Sequence, residues 1–204
     1  IRDSSQSRGL EMCIRDRAGS TNGHVFLIKA NANGNLEWQQ TFESNDYFST
    51  WSLIENEENG FVITGYSDSS IGSKFFLLKT NAQGEEIWLK TLSNGQCVSH
   101  TAYRVLETSD NGYFIVGNAN KNMYCIKTNA NGDLLWTYSD STMQRIAYEA
   151  CEASNGDLII SGYIQEEYKK PFVERISANG TEQLWLSSYY ELIGEAFDVY
   201  EIFE

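Results

Sequence analysis

A twelve-residue phrase returns four times along the chain: LIKANANGNLEW from Leu27, LLKTNAQGEEIW from Leu77, CIKTNANGDLLW from Cys125 and ERISANGTEQLW from Glu174. The glycines Gly34, Gly84, Gly132 and Gly180 are separated by 50, 48 and 48 residues. At that period each repeat is one supersecondary unit, which buries its apolar surface by stacking on its neighbours. With a single proline in 204 residues and no long run of apolar residues at a 3.6 period, a helical solenoid has no support.

Aligned on the glycines, each unit carries four strand-like segments. The first reads WSLIE at Trp51, YRVLE at Tyr103, YEACE at Tyr148 and FDVYE at Phe197. Alternation places its aromatic, its apolar residue and its Glu on one strand face. The second is a β-branched and aromatic run closed by glycine, FVITGY, YFIVGN and LIISGY. The third and fourth flank the Asn-Ala-Gly turn and read as a hairpin. In that turn Asn31, Asn81 and Asn129 are suited to bond back to the local backbone, and the glycines accept positive φ without steric cost. Tryptophan follows the glycine by four residues at Trp38, Trp88 and Trp136 and by five at Trp185, so the last copy holds a bulge or an extra loop residue. The four tryptophans are expected in equivalent positions.

Residues 1–17 share none of this grammar, and their EMCIRDR segment resembles the translated read-through of a sequencing adapter. The repeat domain is expected over residues 18–204, with Ala18-Gly19 matching the end of a second strand. It reads as an opening hairpin from Val25 to Phe42, three full units and a lone first strand, an arc cut from a larger array at both ends. Its uncovered end faces are expected to carry Leu27, Val199 and Ile202.

Charge narrows the partners. Against 15 Lys and Arg stand 28 Asp and Glu, a net charge of −13, which disfavours nucleic acid held by counterion release. No stretch approaches the roughly 18 apolar residues of a membrane-spanning helix. Cys13 lies in the leader; Cys97, Cys125 and Cys151 lack CxxC spacing. Cys125 and Cys151 fall at apolar strand positions and read as small hydrophobes.

Four strands per roughly 48 residues with a recurring aromatic predict an all-β β-propeller of four-stranded antiparallel blades. TAYRVLETSDNGYFIVGNANKNMYCIKTNANGDLLW, Thr101 to Trp136, resembles the propeller repeats of large secreted bacterial proteins. The resemblance covers essentially residues 18–204 and implies an adhesive or scaffolding module at the cell surface or outside the cell. The hairpin is also similar to the tryptophan-docking motif of quinoprotein propellers, but its segment before the glycine is one residue shorter and lacks the motif's Asp, so the similarity does not reach a quinone cofactor.

Candidate chemistry is sparse. Glu55, Glu107, Glu152 and Glu201 close the first strand of each unit; they either converge on a cation or basic ligand or cap turns in solvent. Tyr47, Phe48, Tyr189 and Tyr190 follow the tryptophan strands and are expected exposed, as stacking residues for a glycan or protein or as caps of the sheet edges. Asn129, Asn131 and Asp133 have the spacing that opens a calcium loop, yet the first copy has no carboxylate there, and turn formation accounts for them. His24 and His100 sit in unrelated positions without triad partners, and Arg104, Arg145 and Arg175 occupy different repeat positions. The reading is a non-catalytic binding module for protein or carbohydrate, with no cofactor, no metal and no catalytic residue assigned. Its rival is a fragment of a quinoprotein-like oxidoreductase or a glycan-acting hydrolase or lyase whose active site lies in other blades.

Overall fold

The computed structural model describes residues 16–70, 72–93 and 99–189. Cys97, Tyr190, Val199, Glu201 and Ile202 lie outside them. Within them are fifteen strands in four antiparallel sheets and no helix. The first sheet holds β1 (Arg17–Thr21), β2 (His24–Ala30) and β3 (Leu36–Phe42). The second holds β4 (Tyr47–Glu55), β5 (Phe61–Ser69), β6 (Gly72–Thr80) and β7 (Glu86–Leu92). The third holds β8 (His100–Glu107), β9 (Tyr113–Ala119), β10 (Asn122–Thr128) and β11 (Leu134–Ser139), and the fourth β12 (Arg145–Glu152), β13 (Leu158–Gln165), β14 (Lys169–Ile176) and β15 (Gln183–Ser188). Strands pair in chain order within every sheet. The opening unit has three strands rather than the expected hairpin, because β1 pairs with β2 from Arg17↔Ile28 to Thr21↔His24. Strand β1 therefore begins one residue inside the segment set aside above.

The recurring turn forms as its chemistry predicts. Asn31 Oδ1 accepts the N–H groups of Asn33 and Asn35, and Asn81 and Asn129 do the same two and four residues on. In the fourth copy the chain closes from Ser177 to Glu182, five residues apart instead of four, so the late Trp185 reflects an extra loop residue. A register shift just before the turn occurs in all four hairpins, and each tryptophan pairs with the cation of the neighbouring strand: Trp38↔Lys29, Trp88↔Lys79, Trp136↔Lys127 and Trp185↔Arg175.

That shared register places Trp38, Trp88 and Trp136 under the turn glycine of the following sheet. A Cβ on Gly84 would lie 2.5 Å from Trp38, one on Gly132 2.7 Å from Trp88, and one on Gly180 2.4 Å from Trp136. Gly34, with the same positive φ, has nothing within 4 Å, and Trp185 is 41% exposed. Three tryptophans thus share one environment, and the fourth differs because no described turn covers it. Gly34→Ala and Gly132→Ala carry the same backbone strain, about 1–2 kcal/mol, but only Gly132→Ala also collides with an indole. Urea denaturation is expected to show Gly132→Ala the more damaging of the two by at least about 1 kcal/mol.

Three apolar cores lie between consecutive sheets. Phe61, Ile63, Phe76 and Leu78 face the first sheet, and Val62, Phe75 and Leu77 face the third. Strands buried on both sides need apolar residues without alternation, which explains FVI and FFLL. Strands β3 and β11, at the far edge of their sheets, keep alternating exposure along most of their length. Leu27 is a correction: it is fully buried between the first and second sheets, because its side of β2 faces inward. Cys125 is buried and Cys151 half-buried, and burial pushes the Cys125 thiol well up.

Candidate functional site

The site begins with a glycine. Gly65, Gly117 and Gly162 occupy the same place in the second strand of three units, and a Cβ there would lie 1.9 to 2.0 Å from the carbonyl oxygen of Ser49, Thr101 or Ile146 on the first strand. That closeness accompanies a β-bulge, with pairing that skips from Thr50 to Ser52, from Ala102 to Arg104 and from Ala147 to Glu149. The skipped residues are Trp51, Tyr103 and Tyr148, the aromatics expected to alternate regularly with an apolar residue and a Glu. The bulge breaks that alternation and re-aims the ring. Strand β4 packs beside β8, and β8 beside β12, so the rings form an edge-to-face ladder across three sheets. Trp51 and Tyr103 lie 5.2 Å apart at 82°, Tyr103 and Tyr148 5.0 Å apart at 69°.

Trp51 also walls an open groove of about 470 Å³ between the second and third sheets, with Tyr66, Asp68, Thr101, Tyr103 and His100 around it. The indole is 55% exposed. His100 is 1% exposed and held by Ser73: its Nδ1–H donates to the Ser73 carbonyl at 2.6 Å, and its backbone N–H donates to the Ser73 hydroxyl at 2.6 Å. Phe75 and Tyr124 pack edge-on against the imidazole. Burial holds its pKa below the ordinary value against the pull of the Ser73 carbonyl, so the ring is neutral near pH 7 and Nε2 presents an acceptor. That atom is buried and has no hydrogen-bond partner among the described residues.

The predicted site residues separate. Tyr47 is 56% exposed and rests against Gly23. Phe48, expected exposed, is buried edge-on against Phe76 at 4.9 Å, because alternation after Tyr47 turns it into the core. Tyr189 is exposed, its N–H donating to the Pro171 carbonyl; Tyr190 lies outside the described residues. Glu107 accepts the N–H of Glu57 from the preceding sheet at 2.9 Å, and Glu152 accepts both the N–H and the hydroxyl of Ser109 at 2.7 and 2.9 Å. These carboxylates clip each sheet to the first turn of the sheet before it. Glu55 is exposed at the end of β4, and Glu201 lies outside the described residues. The side chains of Asn129 and Asp133 bond each other within the turn, and Asp133 also pairs with Lys90.

Trp51 and its groove were missed because exposure was sought in the loops. The glycine opposite the aromatic was the available signal. A second missed pattern is the cation paired across the hairpin with the tryptophan. Lys79, Lys127 and Arg175 each pair with an acid of their own sheet's first turn, Glu58, Asp110 and Asp157. Burial alone would push the Asp110 carboxyl up, but the Lys127 ammonium, the Thr108 hydroxyl and the Gly112 N–H outweigh it and hold the pKa at about 2. A depressed acid contributes stability that is present above its unfolded pKa and lost as pH falls through the folded one. Carbon-detected NMR titration should therefore place the Asp110 midpoint near 2, and Lys127→Met should return it toward the ordinary 3.8.

No protein-family model matches the chain, and no curated protein matches it.

Proposed function

We propose that the four sheets are consecutive blades of a β-propeller and that the chain is a non-catalytic binding module of an extracellular or cell-envelope bacterial protein. The observation that carries the reading is the exposed Trp51 on a rigid wall: a large apolar ring held in the open by a bulge, beside a polar groove. Rigid aromatics in a cleft with a few fixed polar groups favour ligand retention. The groove pairs no nucleophile with a base; its one imidazole is spent on Ser73 through Nδ1, and no described cluster of His, Cys, Asp or Glu is placed to hold a metal ion. The stacking of like sheets and the likeness of the repeat phrase to secreted propeller repeats support the architecture and the location.

The test is retention without turnover. Immobilised polysaccharides and matrix proteins are offered to the chain, and the bound material is analysed by mass spectrometry. Saturable binding that falls with Trp51→Ala at an unchanged melting temperature is expected, with the ligand recovered intact. Recovery of cleaved or oxidised ligand would overturn the non-catalytic reading.

A further inference from the structure

We infer that the Trp51 groove is a subsite for a neutral sugar, one pyranose stacked on the indole with its hydroxyls held by the groove's polar wall. The inference rests on the binding-module reading and names its ligand class. A pyranose presents an apolar C–H face and a polar rim, and the groove offers the complement of both. Trp51 supplies an exposed aromatic face whose negative quadrupole attracts polarised C–H groups and whose area gains dispersion contact. Contact with Tyr103 at 82° fixes the indole before ligand arrives, which lowers the ordering cost of binding.

The polar wall selects against charge. The residues around the groove include no lysine or arginine, and Asp68 contributes a carboxylate able to accept two vicinal hydroxyls. Uronic, sialylated or sulfated sugars would meet that carboxylate and a chain of net charge −13. Tyr66, Ser99 and Thr101 add hydroxyls that donate or accept as a sugar rim requires. Behind them the buried His100, anchored on Ser73 through its ring and its backbone N–H, backs the polar wall. A cleft of about 470 Å³ suits one or two sugar rings, whereas a protein partner engages about 800 Å² of surface on each side.

The probes are neutral gluco-, manno- and galacto-oligosaccharides, with sulfated and sialylated glycans and immobilised collagen as comparators, read by calorimetry and by Trp fluorescence. Saturable binding of at least one neutral series is expected, weakened at least tenfold by Trp51→Ala and by Asp68→Ala, and partly retained by Trp51→Phe. Both positions lie at the groove surface, and the melting temperature of each variant serves as the folding control. Three results would overturn the inference: no neutral oligosaccharide binding at millimolar concentration, binding indifferent to Trp51, or preference for the anionic glycans. Collagen binding that depends on Trp51, without any sugar binding, would sink the sugar subsite and leave the binding module standing.

Discussion

Replacing Gly117 by valine is expected to cost about 3 kcal/mol or more, enough to abolish much of the stability of a domain this size. The added Cβ would lie 2.0 Å from the Thr101 carbonyl oxygen and 2.9 Å from the Ala102 Cα, both backbone atoms of the paired strand. No side-chain rotation relieves such a contact; either β8 separates from β9 or the bulge at Tyr103 is lost. Urea denaturation followed by far-ultraviolet circular dichroism measures the loss. Surviving protein should also show Tyr103 displaced from Trp51, read as a change in indole fluorescence. A variant with wild-type midpoint and unchanged emission would mean that the bulge does not depend on the glycine.

The second large effect concerns a charged pair buried against the neighbouring sheet. Arg145 and Glu174 are both fully buried and bond at 2.8 Å, with Asp140 also on the guanidinium and the Tyr138 hydroxyl donating to Glu174 at 2.6 Å. Burial pushes the Glu174 carboxyl up despite these partners, and pushes the Tyr138 hydroxyl up as well. Removing one member strands the other, so Arg145→Phe alone should cost about 3–5 kcal/mol. The sister sheet shows the apolar alternative, since Phe48 and Leu78 occupy the matching positions there, both buried. The double variant Arg145→Phe, Glu174→Leu is therefore expected to recover most of the loss, which a double-mutant cycle on denaturation midpoints would read as a coupling of about 2 kcal/mol or more. Additive losses would show that the pair is not coupled and that the network acts through Asp140 instead.

The repeat made most of the architecture legible. Strand count per unit, the all-β class, the Asn-Gly turn and the equivalent hairpin position of the tryptophans follow from local chemistry: a short polar side chain that closes a turn, a glycine that accepts positive φ, and β-branched runs that suit a pleated surface. These depend on neighbours within one hairpin, and four copies of the same solution make the signal unambiguous. Even the extra residue in the last turn was readable as a spacing of five.

Where the sequence was silent, the answer lay between sheets. The turn glycine has a second role because an indole from the preceding sheet occupies the place of its Cβ, and no spacing within one unit encodes that contact. The strand-end glutamates could be read as a carboxylate ring or as solvated turn caps, and only the packing of sheets brings Glu107 and Glu152 within hydrogen-bond reach of Glu57 and Ser109. Phe48 and Trp51 stand three residues apart on one strand, and composition gives no reason for one to be buried and the other open. A bulge set by a glycine on the next strand, and the course of a third strand beside it, decide the matter. Local propensity fixes how each hairpin closes; which side chains meet, and which ring is left facing solvent, is a property of packing between units.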